Sequence, residues 1–358
     1  MGLSLDPNAK KMVKTDFLII GGGVAGLSAA NHLVDQGASV TLLDAGSYPS
    51  HKICGEFLSP EALPILEKWK ITPARSIEKI KIITPKREWS NPLPKNAATL
   101  MRYTLDHALA KRAEKKGAII QTSAFVETIK NSVVTLASGE QYESKAHLIS
   151  TGRLLNKKTP QFSYIGIKAH FKGIDLHNEL LMHLLPNAYF GMAPIGNSRV
   201  NIAGIIACTH NQALNPKETL SAFFKQPHTH KLTKLLEKGN CLFDDWLMGP
   251  IPQFGIRKHT PRPNTFFLGD AAGVIPPASG NGLAMGLTSG ILAAEYALKN
   301  QPEAYLHRWN QEYKKRISKG QFLNRLFLSP YLQNAIPQVN RLIPSLPRYF
   351  FYATRGGL

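Results

Sequence analysis

The chain has 358 residues, enough for two domains of ordinary size or one large composite domain. Apolar residues make up 43% of it and charged residues 19%, a balance that excludes a disordered or fibrous protein. Its three cysteines are too few for a disulfide framework or a zinc site of paired cysteines, and they fit a reducing compartment. The net charge of +19 favours polyanions as a class of partner, including nucleic acids, anionic lipid surfaces and phosphorylated substrates.

The N-terminal part of the chain predicts a β-α-β unit. Residues 16–20 form an apolar run typical of a buried strand, residues 27–36 have helical character, and residues 39–43 predict a second buried strand. Strands joined through a crossover helix of this kind lie parallel. The unit therefore predicts the beginning of a parallel sheet.

The turn between the first strand and its helix carries the pattern Gly21-x-Gly23-x-x-Gly26. Gly21 permits a tight turn, Gly23 lets the backbone approach a pyrophosphate, and Gly26 allows the helix to pack closely on the strand. With Ala25 they surround a helix N-terminus, whose free N–H groups attract phosphates. Asp44, at the end of the second strand, is placed to accept hydrogen bonds from ribose hydroxyls. The spacing predicts a Rossmann-like dinucleotide-binding domain; the alternative is a glycine-rich turn without a ligand.

Further elements follow in chain order. A short helix is predicted at 60–70, weakly alternating strands at 76–95 and an amphipathic helix at 99–116. Short strands are predicted within 118–150. Four strand runs at close spacing predict an antiparallel sheet: residues 165–171, 179–185, 189–193 and 200–206. Polar helices at 216–238, a buried strand at 266–268, a helix ending near Leu298 and a helical C-terminal region complete the chain.

A second glycine-rich element distinguishes between the two common dinucleotides. Gly269-Asp270 follows the strand at 266–268 directly, and the chain continues through Pro277 to Gly280-Asn281-Gly282 and a helix. A simple NAD-dependent dehydrogenase has no use for this element, whereas a flavoprotein must hold the far end of its ribityl chain and isoalloxazine ring. FAD is therefore the predicted cofactor, and no metal is expected.

Three more segments have a recognisable pattern: Lys52 to Pro60 (Lys-Ile-Cys-Gly-Glu-Phe-Leu-Ser-Pro), Arg102-x-x-x-Asp106 and Ser150-Thr-Gly152. With the glycine-rich elements, they make the chain resemble the flavoprotein group that contains para-hydroxybenzoate hydroxylase. The similarity is greater to its geranylgeranyl reductase branch, where the first segment reads Lys-x-Cys-Gly-Gly-x-Leu-Ser-Pro. It extends over most of residues 14–300.

The resemblance implies an α/β fold with a Rossmann-like FAD-binding domain of mainly parallel sheet, a substrate domain of antiparallel sheet and a helical C-terminal region. The FAD-binding domain is expected to be discontinuous. The expected divisions are residues 1–75, 96–153 and 256–300 for the FAD-binding domain, 76–95 and 154–255 for the substrate domain, and 301–358 for the C-terminal helical region.

The resemblance also implies roles for single residues. Asp270 would hydrogen-bond the ribityl hydroxyls, the amides around Gly280-Asn281-Gly282 would face the flavin, and Arg102 would lie near the cofactor. Further cofactor contacts are expected from Lys52, Cys54, Gly152 and Gly269.

The stretch from Tyr189 to Pro194 resembles the Tyr-x-Trp-x-Phe-Pro motif that lines the substrate cavity of the branch. Gly191 and Ala193 replace the two bulky aromatics, so the cavity is expected to be wider or differently shaped. Tyr189, Gly191, Pro194 and Pro277 are the expected substrate contacts.

The predicted function is that of an FAD-dependent oxidoreductase that reduces a double bond in a hydrophobic, lipid- or isoprenoid-like substrate by hydride transfer from reduced flavin. One alternative is an FAD-dependent monooxygenase that hydroxylates an aromatic or polyketide-like substrate, and another is a non-catalytic flavin-binding protein. The catalytic residues stay open, with Cys54 and Tyr189 as candidates. The electron donor, NAD(P)H or a redox protein, also stays open, because residues 153–158 lack an Asp-Gly element and no second Gly-x-Gly-x-x-Gly unit is present.

The C-terminal 45 residues, 314–358, are basic and rich in aromatics and contain no acidic residue. Such a segment is typical of contact with an anionic membrane surface, and the alternative is a helical cover packed on the catalytic body. No signal peptide and no nucleic-acid-binding module is recognisable, so no nucleic acid partner is expected. A cytoplasmic protein is predicted, with peripheral contact at the inner face of a membrane left open.

Overall fold

The computed structural model describes residues 12–130, 132–153, 162–259 and 262–355. The stretch 154–158, which bears on the missing Asp-Gly element, lies outside these residues. The helices are α1 (Val24–Asp35), α2 (Leu63–Lys68), α3 (Arg102–Lys115), α4 (His210–Leu214), α5 (Pro216–Phe224), α6 (His230–Leu236), α7 (Gly282–Leu298), α8 (Pro302–Leu328), α9 (Ile336–Leu342) and α10 (Ser345–Ala353).

The strands are β1 (Met12–Ile20), β2 (Val40–Leu43), β3 (Phe57–Leu58), β4 (Arg75–Ile83), β5 (Glu88–Thr99), β6 (Ile119–Gln121), β7 (Val126–Lys130), β8 (Val133–Leu136), β9 (Gln141–Ile149), β10 (Phe162–Lys172), β11 (Glu179–Leu185), β12 (Ala188–Pro194), β13 (Arg199–Ala207), β14 (Asn240–Cys241), β15 (Leu247–Pro252), β16 (Gly255–Ile256), β17 (Thr265–Phe267) and β18 (Gly273–Val274).

The first sheet brings three loops of the sequence motifs to one edge. Its order is β6-β2-β1-β9-β8-β7, and β17 also pairs with β9. The strands β6, β2, β1, β9 and β17 run parallel. Ile20 pairs with Ile149, which in turn pairs with Phe267, so β1, β9 and β17 end side by side. Ligands of open parallel sheets bind at the carboxyl ends of the strands, which is where these loops meet.

Close backbone approaches hold this edge together. A Cβ on Gly21 would lie 2.4 Å from the carbonyl oxygen of Ser150, and the φ of Gly21 is +101°, so glycine alone suits the position. Helices α1 and α7 pack together beneath the edge, where a Cβ on Gly290 would lie 2.3 Å from the carbonyl oxygen of Ala25. The Ser28 hydroxyl donates to the carbonyl oxygen of Leu287 at 2.6 Å across the same contact. The loops are therefore supported by two tightly packed helices, α1 and α7.

The second sheet has the order β14-β10-β13-β12-β11-β4-β5-β3, with β15 also on β10. Its pairs are antiparallel except β11 with β4, which run parallel. Side chains alternate along each strand. On β12, Phe190 and Met192 lie in a buried core that includes residues of α5 and α6, whereas Tyr189 and Gly191 face a cavity. One face of this sheet therefore forms its core and the other faces the cavity.

The C-terminal helices join the two sheets. Trp309 and Tyr313 of α8 are buried in the core that contains α1 and α7, whereas Phe327, near the other end of α8, is buried with Tyr189 of the second sheet. Ile336 of α9 lies in the same cluster. Across the described part of the chain, no helix combines the length and apolar character needed to span a bilayer.

The predicted fold class is confirmed, with local differences. Helix α3 begins at Arg102 rather than at Thr99, because β5 continues to Thr99 and pairs there with Phe57 of β3. Residues 57–58 form a strand through pairing across the sheet, which local pattern does not reveal. Helix α1 begins at Val24, three residues before the predicted start, so it includes Gly26.

Candidate active site between the two sheets

A cavity of about 820 Å³ lies between the loops of the first sheet and the open face of the second. Its volume is in the range of small-molecule and cofactor sites. Thirteen of the residues predicted from the sequence line its wall: Gly23, Ala25, Cys54, Arg102, Gly152, Tyr189, Gly191, Gly269, Asp270, Pro277, Gly280, Asn281 and Gly282. The fold therefore brings motifs from distant parts of the chain to one place.

The glycines of the first motif have two different environments. A Cβ on Gly26 would lie 2.1 Å from the carbonyl oxygen of Gly21 and 2.4 Å from the Ser150 hydroxyl, so Gly26 serves packing. A Cβ on Gly23 or Gly152 would meet nothing within 4 Å among the described residues, although both glycines line the cavity. Gly23 is the N-cap of α1 and provides no side-chain cap. This open space before unshielded helix amides fits a phosphate group.

Asp44 and Lys52 lie beside the motif rather than on the cavity wall, as far as the described residues define it. The Asp44 carboxylate accepts hydrogen bonds from the Tyr48 hydroxyl at 2.9 Å and from the backbone N–H of Gly46 at 3.0 Å. The Tyr48 hydroxyl also contacts the carbonyl oxygen of Gly22 at 2.5 Å. Burial, followed by the charge of Asp44, raises the pKa of Tyr48. The Asp44 carboxylate is thus held next to the glycine turn.

The second glycine-rich element is held from several sides. Asp270 Oδ2 accepts a hydrogen bond from Arg153 Nε at 3.0 Å. The side chain of Asn281 is buried: its Oδ1 accepts from the Ser59 hydroxyl at 3.0 Å, and its Nδ2 donates to the carbonyl oxygen of Thr354 at 2.6 Å. Gly280 adopts a left-handed conformation, with φ of 61°. These contacts fix the conformation of the loop at the cavity wall.

Arg102 lies at the start of α3 and pairs with Asp106 through two hydrogen bonds of 2.7 and 2.6 Å. Burial acts to lower the pKa of Arg102, but the charge of Asp106 and its hydrogen bonds outweigh this effect and raise the pKa. Cys54 lies close enough to the guanidinium to add to this rise in the pKa of Arg102. A permanent cation and a thiol therefore share one end of the cavity.

Only part of the predicted substrate motif, the stretch from Tyr189 to Pro194, lines the cavity. Tyr189 and Gly191 face the cavity, opposite Pro277, whereas Pro194 ends β12 outside the wall formed by the described residues. The carbonyl oxygen of Pro194 accepts a hydrogen bond from the Thr99 hydroxyl. The Tyr189 hydroxyl donates to Asn324 Oδ1 at 3.1 Å, and burial raises its pKa well above the usual value. Tyr189 therefore keeps its proton at neutral pH.

The part of the cavity away from the glycine loops is lined mainly by apolar side chains, and we call it the apolar arm. Its wall combines the second sheet with the C-terminal helices and includes Trp89, Leu180, Met182, Phe327, Ile336 and Phe350. The sequence motifs did not indicate that residues of α8–α10 belong to the site. The composition of the C-terminal segment predicted a helical region but not which of its side chains line the cavity.

Leu332, Val339 and Arg348 line the arm and are also exposed, so the arm reaches the surface there; we call this opening, with Leu346 beside it, the mouth. Large apolar side chains are exposed around it, among them Tyr331 at 89% and Leu342 at 78%. Not all of the basic tail faces solvent, because Arg316 and Arg355 are buried. Part of the segment 314–358 therefore packs against the rest of the protein, and another part lines the mouth.

Comparisons with known protein sequences also indicate an FAD-dependent enzyme. The model of the family described as FAD dependent oxidoreductase matches residues 16–53, which hold the first glycine motif and Asp44. The chain is 24% identical over 344 residues to a menaquinone reductase of Mycolicibacterium smegmatis, covering 86% of this chain and 82% of the relative. It is 25% identical over 338 residues to a digeranylgeranylglycerophospholipid reductase of Methanosphaera stadtmanae, covering 84% and 81%.

Solved structures share the fold. A geranylgeranyl bacteriochlorophyll reductase-like protein of Thermoplasma acidophilum superposes with a TM-score of 0.73 at 18% identity, covering 92% of this chain and 91% of the other. A flavin-dependent brominase gives a TM-score of 0.75 at 16% identity, covering 95% and 94%. Together with the family match and the two relatives above, these structures confirm the resemblance to the geranylgeranyl reductase branch of the para-hydroxybenzoate hydroxylase-like flavoproteins, and the chain is an FAD-dependent oxidoreductase.

Proposed function

We propose that this protein reduces a carbon–carbon double bond in a hydrophobic, lipid- or isoprenoid-like substrate. The observation that carries the proposal is the apolar arm, which extends the cavity from Tyr189 and Pro277 to the surface between apolar side chains. A wall of this kind offers a long hydrocarbon chain a dry environment and gives few partners to a polar substrate. The two relatives' names, which specify a quinone and an isoprenoid-bearing lipid, support the same substrate class.

The chain's own residues fit the dinucleotide end of the site. The amides after Gly23 at the start of α1 would hold the pyrophosphate, Asp44 the ribose, and Asp270 the ribityl hydroxyls. The loop amides at Gly280-Asn281-Gly282 would face the polar edge of the ring system, with Arg102, Gly152 and Gly269 nearby. When bound and reduced, FAD supplies a hydride to the substrate.

Two side chains on the wall can hold a proton for the second carbon. Tyr189 stays protonated and donates to Asn324 Oδ1 at 3.1 Å. Cys54 carries a thiol that accepts the backbone N–H of Glu56 at 3.3 Å. Replacing each separately, as Tyr189→Phe and Cys54→Ala, distinguishes them, because loss of the proton donor lowers kcat while FAD stays bound.

We also propose that the mouth meets a membrane surface from which the substrate enters. The exposed apolar side chains around the mouth accompany a segment, 314–358, that has basic but no acidic residues. Basic side chains attract anionic headgroups, and aromatic side chains suit the interface between headgroups and lipid chains.

The test is anaerobic turnover. The purified protein, reduced with dithionite so that the natural electron donor is not needed, is mixed with a detergent-solubilised geranylgeranyl lipid, which has no quinone ring that dithionite could reduce. Product carrying two added hydrogens, seen by mass spectrometry in the absence of oxygen, is the expected result. A product that forms only with oxygen and contains an oxygen atom would establish the monooxygenase instead, and reoxidation without any product would favour a non-catalytic flavin-binding protein.

A further inference from the structure

A glutamate lies at the polar end of the cavity in a backbone conformation that suits glycine. Glu56 has φ of 56° and its side chain is fully buried. A residue with a Cβ pays a conformational cost in this region, whereas glycine adopts it readily. Burying a carboxylate adds a desolvation cost. Because both costs fall on one residue, its carboxylate must make strong compensating contacts.

Those contacts come from the second sheet and from the start of α3. Lys168 and His170 occupy alternate positions of β10, so both point from the same face toward Glu56. Lys168 Nζ contacts Glu56 Oε1, and His170 Nε2 lies 2.9 Å from Oε2. The backbone N–H of Arg102 also donates to Oε1, at 2.9 Å. We call Glu56, Lys168 and His170 the buried ion cluster.

The charge state of the cluster follows from these contacts. Burial acts to raise the pKa of Glu56, but the hydrogen bond from His170 and the charge of Lys168 outweigh it and lower the pKa. Glu56 is therefore ionised beside a buried lysine. Removing one partner of such a pair leaves an uncompensated buried charge.

Cys54, two residues before Glu56, depends on this arrangement. Its thiol accepts the backbone N–H of Glu56 at 3.3 Å, and its carbonyl oxygen accepts from Asn201 Nδ2 at 3.1 Å. Arg102, whose backbone N–H donates to Glu56 Oε1, also lies close enough to Cys54 for the thiol to affect the pKa of the guanidinium. Gly55, between Cys54 and Glu56, has open space where a Cβ would lie, with nothing within 4 Å among the described residues.

We propose that the buried ion cluster is a positioning device: Glu56, anchored by Lys168 and His170, holds the segment 54–56 against the second sheet and thereby sets the position and exposure of the Cys54 thiol on the cavity wall. Glu56 is a positioning residue, since its carboxylate acts through the backbone and through Arg102. This inference goes beyond the proposed reaction and holds for any substrate.

A metal site is the competing explanation for the same side chains. One ligand atom each of His51, Glu56 and His170 lie within 4.8 Å of one another. The ammonium group of Lys168 already contacts Glu56, and a second cation beside it would be repelled. We therefore expect no bound metal.

The test measures the alkylation rate of Cys54 by iodoacetamide, resolved by mass spectrometry in the FAD-loaded protein. Glu56→Gln should lower the thermal midpoint, because Lys168 loses its counterion, and should accelerate Cys54 alkylation by about fivefold, the factor that one hydrogen bond of ordinary strength accounts for. The double variant E56Q/K168M removes the buried charge imbalance. It should regain most of the thermal midpoint while Cys54 stays faster than in the native protein.

Glu61→Gln is the matched control: Glu61 is nearly buried, and its side chain lies 3.9 Å from Arg355 rather than near Cys54. It should leave the Cys54 rate unchanged. An unchanged Cys54 rate in both Glu56 variants, or a rate that returns to native in E56Q/K168M together with stability, would overturn the proposal, and so would one equivalent of zinc or iron in the native protein by elemental analysis. None of these measurements needs a substrate, so they succeed or fail independently of the proposed reductase activity.

Discussion

Arg153 Nε lies 3.0 Å from Asp270 Oδ2, and this ion pair joins the turn after β9 to the turn after β17 across 117 residues of sequence. Both side chains are about one-third exposed, at 34% and 31%, and both residues line the cavity. The carboxylate expected to bind the ribityl chain is thus oriented by an arginine from another turn. Preorganisation of this kind lowers the ordering cost of binding.

Asp270→Ala should release FAD from a folded protein. The substitution removes the acceptor for the ribityl hydroxyls and leaves Arg153 pointing into the cavity, so we expect FAD affinity to fall by about a hundredfold, as for the loss of charge-assisted hydrogen bonds. Visible absorbance after gel filtration and a titration with FAD measure this loss. Asp245→Ala, which removes an exposed carboxylate paired with Lys217, should stay yellow. A yellow D270A protein would contradict the role given to Asp270.

Gly23→Val and Gly26→Val should fail in different ways. The side chain added at Gly23 enters open cavity space, so G23V should fold with a native circular dichroism spectrum and yet bind no FAD. The side chain added at Gly26 meets the backbone of Gly21 at 2.1 Å, so G26V should be insoluble or lose several degrees of thermal midpoint. If both variants fold and bind FAD, neither the phosphate approach nor the packing contact is needed.

Gly191→Trp should narrow the substrate part of the cavity. A Cβ there would lie 3.3 Å from Met182 Sδ, and the rest of the indole must occupy the cavity. We expect FAD binding to be retained and the KM for a long-chain lipid to rise by about tenfold or more, since a filled pocket costs apolar contact area. Lys172→Trp, at the exposed end of β10, is the control. Unchanged kinetics in G191W would place the substrate elsewhere.

Binding to lipid vesicles tests the mouth. The protein should sediment with vesicles of anionic phospholipid and not with neutral ones, and salt should weaken the interaction. Introducing Tyr331→Glu and Leu342→Glu together should reduce binding by roughly thirtyfold or more, because each change removes an apolar contact and adds a repelled charge worth about 1 kcal/mol. Phe125→Glu alters a side chain that is 60% exposed but distant in sequence, and it should bind normally. Equal binding by all variants would exclude the mouth as the contact.

The buried side chain of His183 is expected to make the folded protein less stable in acid. Burial lowers its pKa from 6.5 to about 4 in the folded protein. The unfolded chain therefore binds a proton at higher pH than the folded one, and the free energy of unfolding falls as pH drops from about 6.5 to about 4, by up to roughly 3 kcal/mol. Above that window the contribution is fully present. Urea unfolding at several pH values should show a shallower fall in His183→Leu, and an identical slope would contradict the assignment.

Much of the fold and of the dinucleotide end could be predicted because local sequence encodes it. The turn at Gly21, the helix N-terminus after Gly23 and the strand before Gly269 each depend on residues next to one another in sequence. Conformation-specific glycines and short apolar strands are readable without knowing the partners they meet. The assignment of each predicted residue to FAD or to substrate, like the division into domains, stays a prediction.

The polar end of the cavity could not be predicted in the same way. Glu56 and Lys168 are 112 residues apart, and each reads as an ordinary charged residue in its own segment. Only the pairing of β10 with β13, and the approach of the loop after Cys54 to that sheet, brings them together. The inward face of α8–α10 was missed for a similar reason, because a helix with exposed and buried aromatics has no pattern that says which cavity it lines.

The length of α8 also limits how the site can open. Its 27 residues extend about 40 Å, with Trp309 seated among the helices under the first sheet and Phe327 against Tyr189 of the second. A hinge motion that separated the two sheets would have to break α8 or pull one of its ends out of a buried core. We therefore expect the substrate to enter and the product to leave through the mouth, beside α9 and α10. The two sheets would stay together, and FAD would remain bound between catalytic cycles.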